Sequence, residues 1–359
     1  MEILFKTAPN ERAYENNSLF PNKRLAETVN LRFNIVPLAL SLASSNSMVG
    51  AQKPKVFDII SVGSLCIDSI YLPNRNTPFV VLGGSAAYVS FAARHLDARV
   101  AILSKVGSDF PEAYNWWLKQ EGIDLSNVIK VEGAQTTRFE LKYNEDLSDR
   151  TLTLKCKGPH LTVDDLPRSL KADAIHITPI AGEITYEVAE KLKSCTDVLS
   201  LDPQGLARSF DEEGKVTHAP LTDKRILGLV DIYKSSFSEI EAITGLSNLE
   251  LAIEAIHKFS VKIVIVTLGA DGAVVSTGDA TYKVPAYKPE KVVDPTGAGD
   301  VFMGGFLAEY VYGENYLRCA CVGSAAASLV VEGVGPTFFG EKSEIYRRAR
   351  LLYEKEIKG

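Results

Sequence analysis

From Val56 onward the chain alternates between short apolar runs and stretches that carry apolar residues at helical spacing. Phe57–Gly63 reads as a buried strand ending in glycine, Gly83-Gly84-Ser85 as a turn, and Ala86–Leu96 as a helix of small and apolar residues. Arg99–Gly107 reads as a second strand and Asp109–Glu121 as a second helix. Further strands are predicted at Ala174–Ile177, Asp197–Leu201, Ile232–Lys234 and Lys262–Thr267. Helical stretches lie near Glu183–Ser194, Ser238–Thr244 and Leu249–Phe259. Near-continuous apolar strands alternating with helices predict the α/β class, with a mostly parallel sheet covered on both faces. Ligands of such a sheet sit beyond the strand carboxyl ends.

Two segments break that rhythm. Thr137–Tyr143 and Thr151–Lys155 alternate apolar and polar positions around a polar turn at 144–149, which predicts a hairpin with one dry face. Tyr71–Val81 is a second short extended segment. Together, at about 71–82 and 136–156, they are expected to form a small sheet that acts as a lid. A lone hairpin is only marginally stable. The sheet should therefore pack on the main body or pair with a second copy as a homodimer.

The first 54 residues are irregular, mixed in charge and rich in Asn and Ser, and are expected to form an N-terminal extension of unknown role outside a domain at 55–359. Ile35–Ala43 is apolar but interrupted by Pro37, and is far shorter than the roughly 20 residues of a membrane span. Val49-Gly50-Ala51 has the small residues of a secretory cleavage region, yet it lies far from the start and behind four acids. A leader, or a true start at Met48, accounts for the segment equally well.

Composition sharpens this only slightly. Across 359 residues, 46% are hydrophobic and 23% charged, as in soluble globular proteins. The net charge of −6, without a long basic run, argues against nucleic acid or an anionic membrane as the main partner. The five cysteines are scattered and Cys319-x-Cys321 lacks a second pair, so thiols in a reducing, cytoplasmic setting are expected rather than a zinc site. His95, His160, His176, His218 and His257 form no metal-ligand pattern.

The densest chemical signal is Val293–Phe306, VDPTGAGDVFMGGF. Gly297 and Gly299 let backbone N–H groups approach an anion, and the helix that follows points its positive end at the same place. Asp300 adds a carboxylate beside that cradle. Phosphoryl transfer needs both, a cradle for the moving charge and a base for the attacking hydroxyl. Taken alone, Asp300 would be an ordinary helix-start acid and the glycines a tight turn.

This segment resembles the C-terminal signature of the ribokinase (PfkB) family of carbohydrate kinases, D-[TP]-x-G-A-G-D followed by a small-residue helix. Gly83–Ala92 resembles its N-terminal glycine-pair signature, with Tyr88 where many members carry Asn. The resemblance spans about residues 56–350. It implies a ribokinase-like three-layer α/β/α domain with a small β-sheet lid, using ATP, Mg2+ and, in some relatives, K+. It implies Asp300 as general base and the amides of Gly297, Ala298 and Gly299 as anion hole. Asp68 would hold sugar hydroxyls, Gly83 and Gly84 would let the substrate lie against backbone, and Tyr88 would close the pocket. Glu239 would hold magnesium through water in an N-x-x-E pattern whose Asn is here Ser236. Thr267, Gly269 and Gly272 would make room for the nucleotide. Asp294, with Thr296 and the backbone near Gly335, resembles a monovalent-cation loop. Arg138 is expected to reach the substrate from the lid, whose closure would exclude water.

Asp202–Arg208 and Lys234–Glu239 look similar to the D-x-Q-G-x-x-R and K-x-S-x-x-E segments of the inositol-kinase-like branch. That likeness puts Gln204 at the substrate and favours inositol or a related sugar or polyol. Ribose, a ketohexose, a keto-deoxy sugar acid and a nucleoside stay open. The competing class is a non-catalytic binding module with this fold, which the intact Gly297–Asp300 turn and Glu239 oppose. A Rossmann dehydrogenase is set aside, because no G-x-G-x-x-G with an acid about 20 residues on follows the first strand.

Overall fold

The computed structural model describes residues 57–73 and 75–358. The N-terminal extension and its signal-like segment lie outside the described residues. The chain begins with β1 (Phe57–Val62), β2 (Cys66–Tyr71), β3 (Phe79–Gly83), α1 (Ser85–Arg94), β4 (Val100–Gly107), α2 (Glu112–Gln120) and β5 (Asp124–Val131). It continues with β6 (Thr137–Tyr143), β7 (Arg150–Cys156), β8 (Ala172–Ile177), α3 (Tyr186–Lys193), β9 (Thr196–Leu201), β10 (Arg208–Phe210) and β11 (Val216–His218). Then come β12 (Ile232–Ser236), α4 (Phe237–Thr244), α5 (Leu249–His257), β13 (Ile263–Thr267), β14 (Ala273–Ser276) and β15 (Thr281–Val284). Helices α6 (Ala298–Tyr310), α7 (Tyr316–Val330) and α8 (Lys342–Lys358) complete it.

Nine strands form one sheet in the order β15-β14-β13-β12-β9-β8-β1-β4-β5. It is parallel from β13 to β5, and β14 and β15 add an antiparallel edge. The central strands are buried on both faces, which is why they read as apolar runs. Helices α3, α4 and α5 pack on one face around Ile60, Ile175, Leu199, Ile240 and Ile256. Helices α1, α6, α7 and α8 pack together as the other layer. Glycines set the spacing there. A Cβ on Gly304 would come 2.5 Å from the Val89 carbonyl oxygen of α1, and one on Gly305 3.0 Å from the Cα of Gly323 in α7. Among the described residues no helix is long and apolar enough to cross a membrane.

A second sheet has the order β3-β2-β6-β7, with β2 and β6 parallel and the outer pairs antiparallel. Its dry face carries Cys66, Ile70, Phe139 and Leu141 against Ile180 and Ala181 of the main body. The hairpin therefore has the support that a lone hairpin lacks. Asp68 lies inside strand β2, and the extended segment expected at Tyr71–Val81 is mostly the connection between β2 and β3.

Glu183, expected at a helix start, is instead a buried clamp. Its carboxylate accepts from the amides of Ser64, Ile180 and Ala181 at 2.8–3.1 Å, and α3 begins later behind the cap Thr185. This ties the end of β1 to the loop after β8, whose Ile180 lines the cleft described below.

Candidate functional site

Helix α6 starts at the cleft because Gly297, its N-cap, adopts φ 78°. A side chain at this position is excluded twice. The backbone is left-handed, and a Cβ would overlap the ring of Tyr88. The N–H groups of the first helical turn then lack intrahelical acceptors and present a positive end. Asp300 sits in this turn, half-buried. Burial pushes its carboxyl above the ordinary range, while Lys234, Ser85 and Arg208 oppose that rise.

Asp68 lines the same cleft. Its Oδ1 is buried without a partner, and so is the hydroxyl of Tyr88. Burial lifts Asp68 to about 7 even though Arg150 and Arg208 act the other way. The carboxylate fits only because residue 83 is glycine, since a Cβ there would overlap it. Gly84, at φ 93°, caps α1 and lines the cleft. Two buried orphan oxygens beside one cleft are the mark of a site awaiting hydrogen-bonding partners.

The small sheet roofs the cleft with Phe139, Leu141, Arg150 and Leu152. Arg150 Nη1 donates to Tyr143 Oη at 2.6 Å, and Tyr143 Oη lies 2.8 Å from Thr296 Oγ1, one residue before Gly297. The roof is thus hydrogen-bonded to the turn that carries the cradle. The cavity measures about 50 Å³.

Gln204 does something its sequence reading did not foresee. Arg208 Nη2 donates to its Oε1 at 2.9 Å. A guanidinium only donates, so the amide Nε2 must face the other way. There it donates to Ser85 Oγ at 2.7 Å and to Asp300 Oδ1 at 3.2 Å. Gln204 lines the cleft, yet its amide is spent on Asp300 and Ser85.

Arg138 is not brought into the cleft. It pairs with Asp109 at 2.6 Å, away from the lining residues. Burial would raise Asp109, but the bonds from Arg138 and Thr136 outweigh it and bring the carboxyl to about 2. The register explains this, since Arg138 opposes Ile67 on β2 and alternates with the inward-facing Phe139.

Further along the strand ends, Ser236 and Thr267 are register partners on β12 and β13. Glu239 closes a capping box on α4: the Ser236 amide donates to its Oε2 at 2.7 Å, and its own amide donates to Ser236 Oγ at 3.3 Å. Ser-x-x-Glu before an apolar helix is a local signal for that box which the sequence reading passed over. Gly269, at φ 60°, has open space beside it, whereas Gly272 is required by backbone packing, because a Cβ there would overlap the Val284 carbonyl. Asp294 is brought to Thr296 and Gly335 as expected. Its carboxylate already accepts from the Thr296 amide and hydroxyl and from the Gly335 amide, at 2.6–2.9 Å. Among the described residues no group of three or more acidic, His or Cys side chains is arranged to hold a metal ion.

The pfkB family carbohydrate kinase model matches residues 57–342. The chain belongs to that family. It is 29% identical over 290 residues to a cytidine kinase of Thermococcus kodakarensis, covering 78% of this chain and 98% of that relative. It is 30% identical over 316 residues to an inositol 3-kinase of Zea mays, covering 83% and 78%. The nucleoside kinase of Methanocaldococcus jannaschii superposes with a TM-score of 0.66 at 26% identity, over 82% of this chain and 98% of that one. A pyrophosphate-dependent kinase of the ribokinase family, solved with a pyrophosphate analog and myo-inositol, shares the fold with a TM-score of 0.68 at 22% identity, over 82% of this chain and 98% of that one. This pfkB-family protein is therefore a kinase with the ribokinase-like fold, a phosphotransferase acting on a hydroxyl acceptor.

Proposed function

We propose that this kinase transfers the γ-phosphoryl group of ATP to a hydroxyl of a small cyclic polyol, with inositol as the preferred acceptor. The observation that carries the reading is the pairing, in one cleft, of Asp300 at a helix-start amide turn with Asp68, whose buried Oδ1 has no partner. A carboxylate accepts two hydrogen bonds and suits a vicinal diol. The cleft is compact and rich in polar groups relative to its size, with Asp68, Arg150, Gln204 and Arg208 around Tyr88 and Phe139. That character fits a small ring bearing hydroxyls, and the 30% identity to an inositol 3-kinase supports it.

When bound, ATP with Mg2+ supplies the phosphoryl group and part of the positive charge that transfer requires. Glu239, through its Oε1 and water, would hold the ion, in keeping with the few protein ligands that magnesium takes. Asp300 accepts the proton of the acceptor hydroxyl through Oδ2 while Gln204 holds Oδ1. The amides of Gly297, Ala298 and Gly299 stabilise the charge on the transferring group. Phe139, Leu141 and Leu152 keep water from competing with the acceptor.

A nucleoside acceptor is the second reading. The 29% identity to a cytidine kinase favours it, as does a cavity of about 450 Å³ that shares Arg208 with the cleft and could house a base. A coupled ADP-release screen over pentoses, hexoses, inositols and nucleosides separates the two. Fastest turnover with an inositol is expected. Fastest turnover with cytidine or another nucleoside would overturn the inositol assignment and leave the kinase.

A further inference from the structure

Lys234 has no place in the chemistry described so far, yet it is one of the most buried charges in the protein. It lies in the buried strand β12, its side chain 6% exposed, and its Nζ pairs at 2.6 Å with Asp202, whose side chain is fully buried at the end of β9. The same ammonium lies close to Gly299. That residue, unlike Gly297, has no left-handed backbone to accommodate. A Cβ there would come 2.8 Å from Lys234 Nζ, so the ammonium would have to shift to admit one. The charge therefore lies against the turn whose Gly297 and Asp300 line the cleft.

We propose that Lys234 is a positioning residue of the transfer reaction, a cation pinned by Asp202 directly beneath the Gly297–Asp300 turn, where it supplies fixed positive charge to the base and to the anion cradle. The inference rests on the reading of Asp300 as base. A buried ion pair is expensive to assemble and is often replaceable by apolar residues without loss of stability. Its position under the turn gives it a use that stability alone does not. Each charged group near Asp300 has a definite sign. Lys234 on β12, Arg208 on β10 and Arg150 on β7 favour the carboxylate, while Glu239 on α4 and Asp202 after β9 oppose it, and the Tyr88 hydroxyl on α1 stays neutral. Lys234 is the strongest of the favourable groups for Asp300. Burial alone would pull its own titration down, but Asp202 and then Asp300 reverse that and keep it charged.

The test is a pH profile of kcat, measured with ATP and the acceptor that turns over fastest. Lys234→Met alone strands the buried Asp202 carboxylate, so the neutral pair Lys234→Met with Asp202→Asn is the main variant. An opposite charge within a few ångströms lowers a carboxyl by about 1–3 pH units, and loss of the opposing Asp202 charge returns part of that, so the acidic limb of the double variant should move up by about 0.5 unit or more. At a pH on that limb, its rate should fall about threefold or more relative to the wild type. Lys234→Arg keeps the charge and should keep the limb in place. A double variant whose limb coincides with that of the wild type overturns the inference. So does a Lys234→Arg limb displaced as far as that of the neutral pair. Asp300→Asn, run alongside, separates the two levels. If it is inactive while the limb stays fixed, only the role of Lys234 falls; if it is active, the assignment of the base falls first.

Discussion

Replacing Gly83 with alanine should disable acceptor binding while sparing the nucleotide. The new methyl would overlap Asp68 Oδ2 and Cγ. Even the farther oxygen, Oδ1, would lie 2.7 Å away where ordinary contact begins at 3.4 Å, so it must retreat by about 0.7 Å. The carboxylate has little freedom to do so. It is buried within β2, between β3 and β6. A hydrogen bond to a charged group contributes about 1.5–3 kcal/mol. Losing one such bond to the acceptor should lower kcat/KM for the acceptor by about 10–150-fold. Overpacking should cost about 1–3 kcal/mol of stability, which a thermal melt will register. Steady-state kinetics with each substrate varied at saturating levels of the other is the assay. An acceptor kcat/KM within about twofold of the wild type, in a protein destabilised as expected, would refute the reasoning, because the methyl would then be present without displacing a useful carboxylate.

Asp68→Asn should weaken acceptor binding yet stabilise the fold at pH 8. Burial raises this carboxyl to about 7, so the folded state binds its proton more tightly than the unfolded chain does, and the wild type gains stability as pH falls from about 7 toward 4. Melting curves of the variant and the wild type should therefore converge near pH 4, draw apart as pH rises from about 4 to 7 and keep that gap above about 7, and a gap that does not change with pH would contradict this. For the same reason the acceptor KM of the wild type should rise below about pH 7. Glu183→Ala strips the amides of Ser64, Ile180 and Ala181 of their acceptor and should cost about 3 kcal/mol, read from denaturant midpoints. A loss of less than about 1 kcal/mol would mean that water replaces the clamp.

The parts of the fold legible in the sequence were those whose cause is local. Central strands such as Phe57–Val62 betray themselves because both faces are buried, and Gly297–Asp300 is readable because turn, cradle and helix start lie within four residues. Strand β5 hid because DLSNVIKV is half exposed throughout, and β2 hid because its Asp68 interrupts an apolar run of only six residues. The site was legible at Asp68, Tyr88 and Asp300, which do share one cleft. It was not legible where several elements converge. Arg150, Arg208 and Ser85 meet through strand register and a loop crossing that no spacing encodes. Lys234 left little trace, because Ile232–Ser236 is half polar in sequence although the folded strand is buried and the lysine paired. Arg138, a hairpin arginine near a lid, is chemically apt to reach an acceptor. Its alternation with Phe139 turns it to Asp109 instead.

The most direct measurement is single-turnover phosphoryl transfer by Asp300→Asn, alongside calorimetric titration with ATP. Asparagine keeps the shape and the Gln204 contact region but cannot take the proton. General bases contribute about 10²–10⁴-fold, so the transfer rate should fall by about three orders of magnitude while ATP binds as in the wild type. A transfer rate within about tenfold of the wild type would contradict Asp300 as the base and, with it, the reading of the 297–300 turn as the centre of the reaction.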